Sequence, residues 1–523
     1  MLRPRLNIQG SLSGMVVLLA AIPLLFVMLN SVQLPLDKWL GLWNTRLPSL
    51  FWNTLLLAAL VVIGCFILGV SSAWLIARRQ FRGRSVALWL MILPLAIPTY
   101  VFAYIYTSLM DVDGWLGSLW ITLFGNAASI PDLYNVGGVA LILALSGFPY
   151  VFLLTHSALL NSNPHMEEAA RIHGASSREI FWRITAPLIR PAIAASLAMV
   201  TLHVLSDFGA VSMLRYQTFT LSIYLQMNGR FDYQSAAALS SILVMLALTF
   251  LVLERFFRSR QRYFSANQAK TWRIKHASKK ELWIIWSWLG LISLFAFILP
   301  LAWMLTWSFE AVIAQTLGSE FWGYALNSLV IAIIAATVCI VAALPIGLFH
   351  TRFRSWLSNL FLQMSSTGFV LPGPVVALGV MTFFLTTLPA LYGTLAALTI
   401  ALVIRFLPLA VQSQEAALSQ LTPSIEQASR VHGAGPLETL WRITLPMMRN
   451  GMVAAWVLVF IDALKELPAT LLLRPIGFDT LPVRIWIEAS EEMLEVAAPA
   501  ALMLVISTIP ALWIMLRSTR QST

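Results

Sequence analysis

Long apolar blocks separated by short polar gaps run the length of the chain. Read with a window of about 19 residues, they predict membrane-spanning helices near 14–32, 50–76, 86–109, 136–160, 192–213 and 236–254. A second set falls near 283–307, 325–349, 359–386, 390–412, 452–472 and 496–516. Each block can supply the roughly 20 helical residues that a hydrocarbon core takes. A spanning barrel would instead alternate polar and apolar positions over ~10-residue segments. The pattern therefore predicts an all-α integral membrane protein of about twelve transmembrane helices. Its expected organisation is a first half over 1–254, a basic linker over 255–281 and a second half over 282–523. Six spans in each half bring both halves into the membrane from the same side, as parallel repeats.

Charged residues make up 11% of the 523 residues, against roughly 25% in a soluble protein, which excludes a large extramembrane enzyme domain. The net charge of +11 does not point to nucleic acid, because the Lys and Arg residues sit in the gaps between spans. Arg78, Arg79, Arg82 and Arg84 follow the second span, Arg352 and Arg354 the eighth, and Arg517 and Arg520 lie at the end. The linker holds Arg255, Arg258, Arg260, Arg262, Lys270, Arg273, Lys275, Lys279 and Lys280. Asp111, Asp113 and Asp132 instead follow the third span. By the positive-inside rule both termini and the linker are expected on the cytoplasmic side. Met1-Leu-Arg-Pro-Arg precedes an apolar stretch with no small-x-small cleavage site, and is read as leading into the first span.

Candidate chemistry is sparse. Cys65 and Cys339 both lie inside apolar runs, which offers no disulfide framework and no thiol cluster. His165, His173 and His432 fall in polar loops, and no metal ligand set is assigned. No Gly-x-x-x-x-Gly-Lys-Ser/Thr phosphate loop occurs. The chain is thus expected to be no enzyme, with no catalytic residue and no bound cofactor. The tryptophans near span ends form an ordinary interfacial belt. Pro94, Pro98, Pro149, Pro372, Pro374 and Pro408 fall within predicted spans and are expected to kink or interrupt them.

An internal repeat supports the two-half division. Asn161–Pro191 and Ser419–Gly451 align without gaps at a shift of 433 − 174 = 259. That shift pairs Pro164 with Pro423, His173 with His432, Gly174 with Gly433, Trp182-Arg183-Ile184-Thr185 with Trp441-Arg442-Ile443-Thr444, and Pro187 with Pro446. Earlier in the halves, Asn53 pairs with Asn327 at a shift of 274. Asn163 and Thr422 suit N-caps, Pro164 and Pro423 a first helical position, and Gly174 and Gly433 a left-handed C′. A second helix then starts at once, through a Ser176/Glu179 capping box in one copy and Pro436 with Glu438 in the other. Each half is expected to project a helix–glycine–helix unit, too polar to enter the bilayer and suited to docking on another protein.

These residues resemble the EAA coupling motif of ATP-binding-cassette importer permeases. Glu168, Ala169, Ala170, Gly174, Ile184 and Pro187 match it in the first copy, together with the neighbouring Glu167; Ala428, Gly433, Ile443, Leu445 and Pro446 match in the second. There Gln427 replaces the motif glutamate, and Glu426 precedes it. The resemblance covers essentially the whole chain and implies a type I importer permease fold, two halves fused, in a bacterial inner membrane. It implies two copies of a cytoplasmic ATPase subunit docked on the two units, which use the ATP, and a periplasmic substrate-binding protein. A secondary transporter with two six-helix halves is the alternative class, but would not need paired docking units.

Ionisable residues at membrane depth mark functional candidates. The 259 shift pairs His203 with Asp462, Ser206 with Lys465, and Asp207 with Glu466. His203 and Asp207 are four apart, as are Asp462 and Glu466, so each half would show two groups on one helical face. Two readings stand: these groups line a polar passage, or they lie near the periplasmic ends, solvated or paired, Asp462 with Lys465 for example. The strings Ser206–Tyr224 and Asp462–Leu481 resemble ferric-iron importer permeases and imply Fe³⁺ as cargo, a hard ion that suits oxygen ligands. Thiamine and polyamine importers share the architecture.

Overall fold

A computed structural model describes residues 8–125, 129–161, 164–259, 275–353, 355–369, 371–419 and 421–521. Most of the basic linker, Arg354 and the expected cap Asn163 lie outside the described residues, as does the side chain of Glu168.

Among the described residues, ten helices are long and apolar enough to span: α1 (Gln9–Val32), α2 (Leu47–Arg78), α3 (Val136–Leu160), α4 (Phe181–Ser206), α5 (Tyr233–Val252), α6 (Lys279–Ile313), α7 (Phe321–Arg352), α8 (Leu395–Ser419), α9 (Pro436–Leu464) and α10 (Val496–Ile514). The all-α membrane fold is as expected, and the bent pair brings the candidates to eleven, near the expected count of about twelve; the third span of each half is broken. In the first half, Arg84–Ala96 and Thr99–Phe124 meet at 96°. In the second, Trp356–Ser365 and a 3₁₀ turn lead into Gly373–Thr387, only 15 residues long. Pro98 and Pro372, related by 372 − 98 = 274, sit at the two breaks as extended N-caps. Proline forces the preceding residue out of the helical region, and its missing N–H removes a helical bond. Pro149 and Pro408, by contrast, lie inside continuous helices. A two-stranded parallel ladder joins Arg79–Gln80 to Lys275–His276.

Packing divides the chain into two compact units, which do not follow the sequence halves. One comprises 40–221 and 245–310. There α2, α3 and α4 pack on one another, and α6 lies against α2 and the Arg84 helix. The other comprises 1–39, 222–244 and 311–523, where α7, α8 and α9 form the equivalent trio and α1 packs on Gly373–Thr387 and α7. The leading helix of each half thus joins the unit built mainly from the other half. In the α1 contact a Cβ on Gly379 would lie 2.4 Å from the Pro23 carbonyl oxygen, so only glycine permits the approach. Phe26 meets Phe383 edge-on beside it, with centroids 5.3 Å apart. Apolar periodicity marks both helices as spanning but carries no information on which bundle each joins.

Candidate functional site

The two loops that follow α3 and α8 fold alike. Pro164–Ile172 is a helix that ends at Gly174, whose φ is +83°. Gly174 N donates to Arg171 O (3.0 Å) and Ala175 N to Ala170 O (3.0 Å), a Schellman closure that satisfies the last carbonyls. Ser176 and Glu179 then form the expected capping box: Ser176 N donates to Glu179 Oε2 (2.9 Å) and Glu179 N to Ser176 Oγ (3.3 Å). The Ser176 backbone N–H and hydroxyl hold the Glu179 carboxyl below the usual range. In the second loop Pro423–Val431 ends at Gly433 with φ +87°, and Ala434 N donates to Ser429 O (3.2 Å). Gly435 caps the next helix, with Pro436 in its first turn.

The repeated Trp-Arg-Ile-Thr runs lie in π-turns, Phe181–Thr185 and Leu440–Thr444. Pro187 and Pro446 lack the N–H that the Arg183 and Arg442 carbonyls would receive in an α-helix, and the chain widens by one residue there. The widened turn aims Thr185 and Thr444 back at the preceding short helix. Thr185 Oγ1 donates to Glu167 Oε1 (2.7 Å), and Thr444 Oγ1 donates to Glu426 Oε1 (3.1 Å).

Glu167 and Glu426 also each meet an arginine. Arg78 Nη2 donates to Glu167 Oε1 (2.7 Å), and Arg352 Nη2 donates to Glu426 Oε1 (2.6 Å). The acids correspond at 426 − 167 = 259, the threonines at 444 − 185 = 259 and the arginines at 352 − 78 = 274. The two glutamates thus face their own bundle, and the acid that turns inward is the same in both halves, buried in the first and half-buried in the second. Gln427, at the motif position, is exposed, as are Ala169 and Ala428; Ala170 is half-buried. Among the described residues, no atom lies within 4 Å of where a Cβ on Gly174 or Gly433 would stand. The arginines and threonines were missed in the sequence reading. Their signal is that each pair obeys the shift of its own region, although the arginines stand 89 and 74 residues from their glutamates and so look unrelated to them along the chain.

Among the side chains that the units turn outward are large apolar ones. Ile172 is 84% exposed and Trp182 65%; Val431 and Trp441, their equivalents at 259, are 85% and 65% exposed. Exposed apolar side chains thus recur at matched positions of the two units.

The interior carboxylates sit differently from the sequence expectation. α4 stops at Ser206 and Asp207 is extended (φ −67°, ψ 127°), so His203 and Asp207 do not share a helical face. Asp207 Oδ1 instead accepts from the N–H of Ala210 (3.0 Å) and Val211 (3.3 Å), starting the short helix Gly209–Met213, and Oδ2 accepts from Thr99 Oγ1 (2.6 Å). The second half repeats this: α9 stops at Leu464, and Glu466 Oε1 accepts from Ala469 N (3.0 Å) ahead of Pro468–Leu473. The carboxylates act as caps, and capping requires the chain to leave the helix first. Here Arg405 Nη1 takes the place of the threonine, donating to Glu466 Oε1 (2.8 Å). Asp462 stands 3.8 Å from Lys465 Nζ, and the His203 ring lies 5.7 Å from that of Tyr150. Among the described residues no group of three or more His, Cys, Asp or Glu is placed to hold a metal ion.

Duplicated spanning bundles, each with a helix–glycine–helix unit on a loop and a helix-capping carboxylate beside a broken span, fit a membrane transport permease. The chain belongs to the binding-protein-dependent transport system inner membrane components, whose family model matches residues 65–263 and 340–521. It is 30% identical over 491 residues to the Fe(3+)-transport system permease protein FbpB 2 of Haemophilus influenzae, covering 93% of each chain. Over 445 residues it is 25% identical to the ferric transport system permease protein FbpB of Actinobacillus pleuropneumoniae, 80% of this chain and 64% of that one. The sulfate transport system permease protein CysT of Escherichia coli matches over 239 residues at 29% identity, 44% of this chain and 84% of its own.

Proposed function

We propose that the chain forms the translocation path for ferric iron handed over by a periplasmic binding protein. Two copies of a cytoplasmic ATPase subunit dock on the helix–glycine–helix units and hydrolyse the ATP, and both termini lie in the cytoplasm. The observation that carries the cargo is the end-to-end match to an Fe(3+)-transport permease over 93% of both chains. The sulfate relative spans only about half of this chain, as a single repeat would. Docking on both units is supported by the repeated exposed pairs Ile172/Trp182 and Val431/Trp441. Ferric iron prefers oxygen donors, and His203, Asp207, Asp462 and Glu466 are the ionisable candidates for its path. Of these, Asp207 and Glu466 are held by backbone N–H groups and by Thr99 or Arg405, Asp462 stands 3.8 Å from Lys465 Nζ, and the His203 ring lies 5.7 Å from that of Tyr150.

Uptake of radiolabelled iron into cells expressing the complete system tests this. Wild type is expected to accumulate iron, with excess sulfate, thiamine or polyamine having no effect. Asp462→Asn and His203→Ala should each lower uptake about tenfold, the scale of one lost charged contact of about 1.4 kcal/mol. Unchanged uptake in both would remove them from the path, and competition by sulfate would replace the cargo.

A further inference from the structure

We infer that Arg78 and Arg352 are positioning residues that clasp the docking helix of each half to the end of the second spanning helix of its repeat, so that motion of the docking helix is passed sideways into α2 and α7. This rests on the proposal that separate ATPase subunits act on those helices. Along the chain, each docking helix follows α3 or α8 and leads through its glycine and π-turn into α4 or α9, with no link to α2 or α7. The clasp adds that route. Arg78 is the last residue of α2 and Arg352 the last of α7, and each reaches the same glutamate that the π-turn threonine holds. One carboxylate thus joins three elements: the end of one span, the docking helix and the start of another. In the first unit α2 packs along both α3 and α4, and in the second α7 packs along α8 and α9, so a displaced α2 or α7 must move its neighbours.

Both pairs are secluded, with side-chain exposures of 8% and 7% for Arg78 and Glu167, and 13% and 16% for Arg352 and Glu426. A buried ion pair adds little net stability over apolar residues of similar size, whereas it fixes geometry because breaking it leaves a charge stranded. The surroundings separate these two uses. In the first half Trp74 lies 5.5 Å from the Arg78 guanidinium and meets Phe181 edge-on at 4.8 Å. The corresponding positions in the second half are Leu348 (348 − 74 = 274) and Leu440 (440 − 181 = 259), which pack in an aliphatic cluster with Leu418 and Met448. The apolar layer has been rebuilt with other side chains, yet Arg, Glu and Thr recur unchanged in type and contact. Packing alone would tolerate exchange of the polar trio as it tolerates exchange of the rings.

The test uses the full chain in nanodiscs, spin-labelled through Ile172→Cys on the docking helix and Arg82→Cys just beyond α2, both exposed sites. Wild type is expected to give one narrow label distance, and Arg78→Met with Glu167→Gln, which leaves no stranded charge, a distribution at least twice as wide. Thr185→Val is a milder second variant with the same direction. In complexes with the ATPase subunits, iron accumulated per ATP should fall about tenfold in the clasp variants, within the 5- to 150-fold range of typical coupling energies, while the ATPase still co-purifies. Unchanged label widths and unchanged iron per ATP overturn the inference. So does loss of ATPase binding with unchanged widths, which would make these docking residues. If the wild-type complex hydrolyses ATP without accumulating iron, the cargo assignment fails and the label widths alone decide the clasp.

Discussion

Valine at both Gly174 and Gly433 is expected to strip the ATPase subunits from the purified complex and to stop uptake. Both glycines sit at positive φ, +83° and +87°, where a residue with a Cβ pays about 1–2 kcal/mol and a β-branched one is a clear outlier. Among the described residues no neighbour stands within 4 Å of either Cβ position to oppose the first added atom. The substitution therefore leaves the spans folded and acts on the turn, tilting Ile172 away from Trp182 and Val431 away from Trp441. A loss of 1.4 kcal/mol at one interface is about tenfold in affinity, and two linked interfaces multiply to roughly 100-fold. Asparagine, which accepts the left-handed region, should keep most binding at both sites. Co-purification with affinity-tagged ATPase measures this, and a double valine variant that retains wild-type amounts of ATPase would refute the docking assignment.

Alanine at Gly373 is expected to be more damaging than any single change in the docking units. Its Cβ would stand 1.9 Å from Arg405 Nη1, 2.5 Å from Pro468 Cγ and 2.9 Å from Glu466 Oε1. Arg405 can retreat only by releasing Glu466, and a buried carboxylate left without its cation costs about 3–5 kcal/mol. The proline ring cannot yield in the same way. Since Glu466 also caps Pro468–Leu473 and faces the broken span, the short helix and the break should loosen together. We expect little correctly inserted protein and uptake near background. Thr99→Ala at the equivalent position of the first half (373 − 99 = 274) removes one hydrogen bond to Asp207, worth about 1.5–3 kcal/mol when the acceptor is charged, and should leave measurable uptake. Recovery of folded protein by size-exclusion chromatography checks the contrast; a Gly373→Ala variant as abundant and active as wild type would show that the Arg405–Glu466 pair is not tightly held.

The sequence was most informative where local rules act. Apolar block length marked the spans, and cap residues with glycine and proline marked the docking units, because helix termini are set by a few adjacent side chains. Pro98 was visible as a disruption, but the 96° bend it accompanies made one expected span into two helices, and the sequence alone does not separate a kink from a break. Asp207 and Glu466 read as helical because four-residue spacing matches a helical face. Their capping of the following helix shows only once the chain is seen to leave the helix. Glu167 reads, with Glu168, as part of the ATPase-coupling motif. Its burial depends on Arg78, 89 residues away, and long-range pairing of this kind leaves no local pattern. The exchange of α1 and α6 between units is invisible for the same reason.

Reconstitution decides most directly whether this chain is the passive path of a machine powered from elsewhere. Proteoliposomes holding the chain and its ATPase subunits, with iron-loaded binding protein on one face and ATP on the other, should accumulate ⁵⁵Fe only when all three components and ATP are present. Iron accumulation by the chain alone, or driven by an ion gradient without the ATPase, would contradict the account.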